Sequence, residues 1–155
     1  MKIAECIELG KTTHVKNIGA DLFTWDDVIR VLDEIVKDNQ FLRLFPKLGL
    51  QFHNAERIRN VQSVMDEINN LNSEKSCTAH GYVSFSEHSG NFGKHCDDAD
   101  VFFWQVIGRT KWIIDGLEYI LEPNDLIYVP RKVYHHVIPL SPRVGVSFGF
   151  EYPEA

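Results

Sequence analysis

The 155-residue sequence predicts a mainly β domain with helices at its N-terminal end. Its second half is a series of short apolar stretches separated by glycine, proline and asparagine, the pattern of β-strands joined by tight turns. Its first half instead places apolar residues at helical intervals. With 44% hydrophobic residues the chain is long enough for one well-filled core and too short for two, so we expect a single domain over residues 1–155.

The helical part is predicted over residues 1–76. Thr24 is a helix-capping residue followed by acidic residues and an apolar stripe, and the helix it begins should end near residues 38–39. Residues 41–52 are apolar but interrupted by proline and glycine, which indicates one extra strand. A second helix is predicted over about 54–71, and its apolar face carries Ile58, Val61, Met65 and Ile68. The Asn- and Ser-rich residues 69–76 should connect this region to the strands.

The strands are predicted over residues 77–155. Residues 101–107 form a buried strand that turns at Gly108 and returns through Trp112. Pro123 suits the first central position of a type II turn, and Asn124 tolerates the positive φ required at the next. A short apolar strand then leads to residue 130, and a last strand covers 144–150.

Two segments about forty residues apart carry the candidate metal ligands. His95 and Asp97 are two residues apart, so on an extended strand their side chains project from the same face. A distant histidine from another strand would complete a set of two nitrogens and one oxygen, the facial triad of non-haem Fe(II) oxygenases. His135 and His136 are adjacent and face opposite ways on a strand, so only one of them can easily reach the same ion.

The stretch from about residue 81 to 151 resembles a cupin, or double-stranded β-helix (jelly-roll), of the JmjC-like, 2-oxoglutarate-dependent oxygenase kind, the cupin-like hydroxylases. The matching motifs are His95-x-Asp97 followed by Asp100-Val101-Phe102, Gln105-x-x-Gly108, the Pro-x-Asp turn at Pro123, and Pro130 followed five residues later by His135. The resemblance implies a jelly-roll barrel and a dioxygenase centre in which His95, Asp97 and His135 hold catalytic Fe(II). It also implies hydroxylation of a small molecule or peptide side chain, with 2-oxoglutarate as cosubstrate.

The cation that would anchor 2-oxoglutarate is less directly given by the resemblance. Its far carboxylate needs a buried cation, preferably arginine. The family places a basic residue on the strand after the glycine turn, where this chain has Thr110. Lys111 should face the other side unless a bulge shifts the register. We favour Arg143 as the anchor, because Arg143 followed by Ser147 resembles the prolyl-hydroxylase arrangement; its alternative is a solvated strand end. Thr110 or Ser147 would add a hydroxyl group to the site. Further hydrogen bonds could come from Tyr82, Tyr128 or Gln105.

Two other functions remain open at this point. Thr110 in place of a basic residue favours a metal-binding cupin that holds a small molecule without redox chemistry. An iron enzyme that works without 2-oxoglutarate, such as a dioxygenase whose substrate chelates the metal, is the third. Four further histidines lack a comparable motif and are interpreted as surface or core residues: His14, His53, His80 and His88. Of these, His88 lies in the loop that leads to His95 and could line the mouth of the site.

The charge and the cysteine content of the chain limit the classes of binding partner and the cellular compartment that we expect for it. A formal charge of -6 argues against a nucleic-acid surface. Three cysteines without paired spacing predict free thiols in a reducing compartment, and the lack of a long apolar run predicts no signal peptide and no membrane span. We therefore expect a cytoplasmic enzyme. The N-terminal helices would either cover one end of the barrel or form a homodimer contact.

Overall fold

The structure, a computed structural model, describes residues 3–71 and 76–151. The first part contains α1 (Ile3–Leu9), β1 (Thr13–Val15), α2 (Trp25–Lys37), β2 (Leu42–Phe45), β3 (Gly49–His53), a 3-10 helix (Ala55–Arg57) and α3 (Val61–Leu71). The second part contains β4 (Cys77–Ser84), β5 (Ala99–Ile107), β6 (Thr110–Ile114), β7 (Leu117–Leu121), β8 (Asp125–Val129), β9 (His135–Pro139) and β10 (Arg143–Glu151).

The strands form two antiparallel sheets. The larger has seven strands in the order β1-β8-β5-β10-β4-β3-β2, and the smaller has three in the order β7-β6-β9. The larger sheet contains antiparallel partners that are distant in sequence, as β10 shows by pairing with β4 and β5, whereas β2–β3 and β6–β7 are hairpins of consecutive strands. This is the jelly-roll arrangement of a double-stranded β-helix, which confirms the predicted fold class.

Side chains alternate across the larger sheet and so build two apolar cores. We call the one between the two sheets the inner core; it consists of Val101, Phe103, Trp112, Ile114, Leu121, Ile127 and Val129. The outer core lies between the other face of the larger sheet and the helices, and it includes Phe102 and Phe148 from the sheet and Val28, Ile35 and Val64 from α2 and α3. The period-2 alternation of Phe102 and Phe103 thus sends one ring to each core.

Helix α2 confirms the prediction made from its N-terminal residues. Thr24 accepts a hydrogen bond from the backbone N–H of Asp27, and the Asp27 carboxylate accepts one from the backbone N–H of Thr24, which completes a capping box. Val28, Val31 and Ile35 are buried on one face.

Among the described residues, no helix is long and apolar enough to cross a membrane. No disulfide joins Cys6, Cys77 or Cys96 in the part of the chain that the structure describes, in agreement with the prediction from their spacing.

Three features of the N-terminal region differ from the prediction. The helix expected over 54–71 begins only at Val61, because Asn54 and Asn60 adopt φ values of 59° and 70° and interrupt the helical backbone. The single strand expected over 41–52 is a hairpin of β2 and β3, turned through Lys47 and Leu48 at positive φ. Helix α1 and strand β1 were not predicted. Of the connector expected over 69–76, residues 69–71 belong to α3 and 72–75 lie outside the described residues.

The turns of the barrel follow the prediction closely. Gly108 has φ 73° between β5 and β6, and a Cβ there would collide with the backbone of Pro142, so only glycine suits this turn. Asn124 also has φ 73°, as the expected turn between β7 and β8 requires. These turns fix the positions at which β6, β8 and β10 enter the barrel.

Candidate metal centre

The segments that carry the three candidate ligands are held together by their backbones. His95 and His135 exchange two hydrogen bonds, N–H to carbonyl, of 2.9 and 2.8 Å. The backbone carbonyl of Asp97 accepts a 2.7 Å hydrogen bond from the N–H of Lys132. His95 therefore lies in an isolated bridge rather than in the regular strand that the sequence predicted, but the bridge still places it directly opposite β9.

This backbone arrangement brings the three side chains together. The distance from His135 Nε2 to Asp97 Oδ2 is 3.4 Å, and that from His95 Nε2 to Asp97 Oδ1 is 3.8 Å. One donor atom from each of the three residues lies within 4.8 Å of the other two. His135 is buried, whereas His95 and Asp97 are partly exposed, so the cluster is open on one side.

Hydrogen bonds to the backbone fix which nitrogen of each histidine is available. The Nδ1 of His95 lies 3.0 Å from the carbonyl of Gly93, and that of His135 lies 3.0 Å from the carbonyl of Val133. A carbonyl only accepts, so Nδ1 is the donor in both rings and Nε2 is the nitrogen that faces Asp97. Each Nε2 would present a lone pair to a metal ion that displaces its proton. Two imidazole nitrogens and a carboxylate converge, which is the donor set that suits a divalent metal ion.

The electrostatics of Asp97 match the role of an anionic ligand. Its hydrogen bond with His135 is the main effect that holds the pKa of the Asp97 carboxyl below the ordinary value, and the charges of His135 and His95 act in the same direction against partial burial. The carboxylate is therefore ionised at neutral pH. Trp112 stacks on the His135 ring at 5.4 Å and limits its rotation.

The triad faces a cavity between the two sheets. Its wall includes inner-core side chains such as Phe103, and its polar lining includes Tyr82, Arg143 and Ser147. Gly145 lies between Arg143 and Ser147 on β10, and a Cβ there would collide with the Phe103 ring, so the glycine leaves space for this ring to pack across the strand. The cavity thus joins the candidate metal ligands to one buried cation.

That cation, Arg143, has an unusual environment. The side chain is 4% exposed, its Nε donates a 3.0 Å hydrogen bond to Ser84 Oγ, and its guanidinium lies 5.9 Å from the centre of the Tyr82 ring. Its Nη1 is buried and has no hydrogen-bond partner, and no carboxylate of the described residues pairs with it. Burial lowers the pKa of Arg143 to about 10, which leaves it charged at neutral pH. The cavity therefore contains an uncompensated positive charge.

The two other candidate anchors lie elsewhere. The hydroxyl of Thr110 donates a 2.9 Å hydrogen bond to Gln105 and accepts one of 3.2 Å from the indole of Trp112, so its polar capacity is used within the core. Lys111 lies on the opposite face of β6, where its amine is 3.9 Å from the carboxylate of Glu118. Neither residue lines the cavity.

The remaining histidines are apart from the triad. His136 follows His135 on β9 and pairs with Ile113, and its side chain is not among those that line the cavity. Two others lie next to carboxylates, His14 with Asp125 at 3.0 Å and His88 with Glu87 at 3.4 Å. The rings of His53 and His80 stack at 4.2 Å. Burial, with the neighbouring charge of His53, lowers the pKa of His80 to about 4.

Three residues near the cavity were not singled out from the sequence. Ser84 binds Arg143, Gln51 donates a 3.1 Å hydrogen bond to the hydroxyl of Tyr82, and Phe92 packs 5.4 Å from the His95 ring. The first two contacts depend on the register of β4 with its neighbours, which places Ser84 opposite Arg143 and Gln51 opposite Tyr82. The alternation of Tyr82 and Ser84 on one strand was the available signal for Ser84.

Comparison with known proteins gives the relatives of this chain. A ribosomal protein uL16 3-hydroxylase of Escherichia coli is 31% identical over a match that covers 46% of this chain and 25% of the relative. A probable ribosomal oxygenase of Haemophilus influenzae is 26% identical over 46% of this chain and 24% of the relative. The matched part therefore corresponds to about a quarter of each relative's length.

Solved structures share the fold. The ribosomal oxygenase YcfD of Escherichia coli, solved in complex with cobalt and 2-oxoglutarate, superposes with a TM-score of 0.83 at 17% identity, covering 100% of this chain and 53% of that one. An RmlC-like cupin of Shewanella frigidimarina superposes with a TM-score of 0.51 at 12% identity, covering 76% and 88% of the two chains. Both likenesses support the barrel fold.

The profile of the JmjC domain matches residues 51–118 and 115–155, which together are more than half of the sequence. The match begins within β3 and covers the ligand segment and strands β4 to β10. The resemblance noted from the sequence is thereby confirmed, and the chain belongs to the JmjC domain family.

Proposed function

We propose that this protein is an Fe(II)- and 2-oxoglutarate-dependent oxygenase that hydroxylates a protein side chain. In this proposal His95, Asp97 and His135 hold the iron and Arg143 holds the far carboxylate of 2-oxoglutarate. The observation that carries the proposal is that Arg143, a buried cation without an anionic partner, lines the same cavity as the triad. A burial this unfavourable is expected where a bound anion completes the site.

The residues fit the metal and the cosubstrate by their chemistry. Two imidazoles and one carboxylate match Fe(II), and the carbonyls that accept hydrogen bonds from Nδ1 would keep both Nε2 atoms directed at a bound ion. When bound with 2-oxoglutarate and dioxygen, the iron supplies an oxidant that places one oxygen atom on a substrate C–H bond while the cosubstrate becomes succinate and carbon dioxide.

The protein's contribution is orientation and exclusion of water. The guanidinium of Arg143 offers a planar pair of donors to a carboxylate, and Ser84 fixes its Nε side so that Nη1 remains for the ligand. Ser147 and the hydroxyl of Tyr82 lie in the same lining and can donate to the same carboxylate. The aromatic wall formed by Phe103 and Trp112 keeps the space between anchor and triad apolar.

A protein side chain is the proposed substrate because the two curated relatives are named for ribosomal proteins. The partly exposed His95 and Asp97 support it further, since a ligand set open to solvent can be approached by a segment of a larger molecule. A small-molecule substrate is the alternative within the same activity.

An anaerobic titration tests the activity. Fe(II) is added to the metal-free protein, 2-oxoglutarate is titrated in, and the visible metal-to-ligand charge-transfer band of a chelated complex is recorded. We expect the band in the wild-type protein and in Lys111→Ala, whose amine pairs with Glu118 outside the cavity, and its loss in Arg143→Ala at the same 2-oxoglutarate concentration. Iron binding without the band in the wild-type protein would contradict the proposal.

A metal-binding cupin without 2-oxoglutarate chemistry is the second candidate. Thr110 favours it, because this chain has no basic residue at the position where the family pattern places one. The same titration separates the two candidates: the second predicts iron binding that 2-oxoglutarate does not alter.

A further inference from the structure

Gln51, on β3 outside the barrel motifs, contacts the polar end of the cavity through Tyr82. Its amide Nε2 donates a 3.1 Å hydrogen bond to the phenolic oxygen of Tyr82, and Gln51 itself is only 7% exposed. The β3–β4 register places the two residues directly opposite each other, with their side chains on the inner face of the sheet. The contact is therefore built into the strand pairing.

The direction of this hydrogen bond determines what Tyr82 can do. Because its oxygen accepts from Gln51, the phenolic proton is left to be donated elsewhere. Among the described residues no group receives that proton, although Tyr82 lines the cavity and its ring lies 5.9 Å from the guanidinium of Arg143. Burial raises the pKa of Tyr82 to about 12, so the group keeps its proton at neutral pH. A donor hydroxyl is thus placed beside an uncompensated cation.

We propose that Gln51 is a positioning residue that orients the Tyr82 hydroxyl toward the far carboxylate of 2-oxoglutarate, so that Tyr82 and Arg143 bind this carboxylate together. The inference rests on the function proposed above and extends it to a residue of β3, outside the motifs that carry the family resemblance. Gln51 does not touch the ligand; it acts by occupying one lone pair of Tyr82 and directing the O–H away from β3.

Two substitutions at residue 51 separate orientation from packing. Gln51→Leu keeps the side-chain size but removes the amide donor, so Tyr82 is free to rotate, and we expect a three- to tenfold weaker affinity for 2-oxoglutarate, about the effect of one hydrogen bond. In Gln51→Glu the new carboxylate accepts the Tyr82 proton and repels the ligand, so we expect a larger loss than in Gln51→Leu. A packing role alone would predict the smaller loss in Gln51→Glu, whose side chain is closer in shape to glutamine.

The measurement is calorimetric binding of 2-oxoglutarate and of oxalate to the Co(II)-loaded protein. Oxalate chelates a metal ion but has no far carboxylate, so Gln51→Leu should leave its affinity unchanged. The effect should also disappear in a Tyr82→Phe background, where no hydroxyl remains to be oriented. Lys111→Ala, outside the cavity, is the matched control for both ligands.

The outcomes distinguish this inference from the proposed function. Wild-type protein that binds Co(II) but not 2-oxoglutarate overturns the proposed function itself. Wild-type binding with an unchanged affinity in Gln51→Leu overturns only the role of Gln51, as does an equal loss of oxalate binding or an undiminished effect in the Tyr82→Phe background.

Discussion

The inner and outer cores of this protein share the same large sheet but differ in what they bury. The outer core, beneath α2 and α3, is almost entirely apolar, and Val28, Ile35 and Phe148 are completely buried in it. The inner core combines apolar side chains with buried polar groups, among them Thr110, Gln105, His135 and Arg143. The difference indicates that the outer core stabilises the fold, while the inner core gives up stability to hold the polar groups beside the candidate metal centre.

The largest effect should come from removing a ligand of the triad that lies beside the inner core. Asp97→Ala removes the only carboxylate of the triad, and we expect metal affinity to fall by more than about 100-fold, because loss of an outer-shell partner alone costs about 10- to 100-fold. Calorimetric titration with Co(II) checks this. Asp98→Ala, an exposed neighbour outside the triad, is the matched control. Equal affinities in the two variants would remove Asp97 from the ligand set.

The complementary change is a large-to-small substitution in the outer core. Ile35→Ala in α2 should lower the free energy of unfolding by about 2–5 kcal/mol, since Ile35 is fully buried and the deletion leaves a cavity. Urea unfolding measures the loss. The Co(II) affinity of the folded protein should remain at the wild-type value; a parallel fall in metal affinity would show that the two cores are not separable.

Arg143→Met sharpens the comparison because stability and function should move in opposite directions. Removing the unpaired buried charge should raise the free energy of unfolding at pH 7 by about 1–4 kcal/mol while 2-oxoglutarate binding is lost. The pKa of Arg143 is about 10 in the folded protein against the ordinary 12.5, so the penalty is complete below pH 10 and is relieved as the pH rises from 10 toward 12.5. Urea unfolding of both proteins at pH 7 gives the difference. A less stable variant would mean that the cation supports the fold.

The smallest expected effect concerns His80 on β4, whose ring stacks on that of His53. Burial lowers the pKa of His80 to about 4 from 6.5, so the unfolded chain takes up a proton that the folded protein refuses, and stability should fall as the pH drops from 6.5 to 4. His80 is only partly buried, so after discounting for solvent screening we expect a loss of about 1–2 kcal/mol. His80→Phe keeps a ring against His53 but cannot be protonated, so its free energy of unfolding should depend less on pH between 6.5 and 4. Urea unfolding at pH 8, 6 and 4.5 tests it, and curves of equal slope would exclude His80 as the cause.

The parts of the site that the sequence predicted are those encoded locally. His95 and Asp97 are two residues apart and follow a recognisable motif, and the turn residues Gly108 and Asn124 have the positive φ that their chemistry suggested. Arg143 was favoured through a resemblance, and the structure places it in the cavity with the triad, while its assignment to 2-oxoglutarate remains a prediction.

The parts that could not be predicted depend on register between distant strands. Ser84 meets Arg143 only because β4 pairs with β10 across 59 residues of sequence, and Gln51 meets Tyr82 only through the pairing of β3 with β4. A shift of one residue in the strand register would turn these side chains to the opposite face of the sheet and break either contact. The local sequence pattern does not determine that register. The late start of α3 has a similar origin, since helical periodicity alone does not reveal the left-handed Asn54 and Asn60.

The backbone bridge between His95 and His135 has a consequence for how the protein would acquire its ion. In many small metalloproteins ion capture and chain folding are a single event, because no site exists beforehand. Here two amide hydrogen bonds of the main chain hold the two candidate histidine ligands side by side. Metal binding would then be the association of a hydrated cation with a preformed site. A chelator should remove the ion reversibly, and the folded apoprotein should then bind a different metal ion.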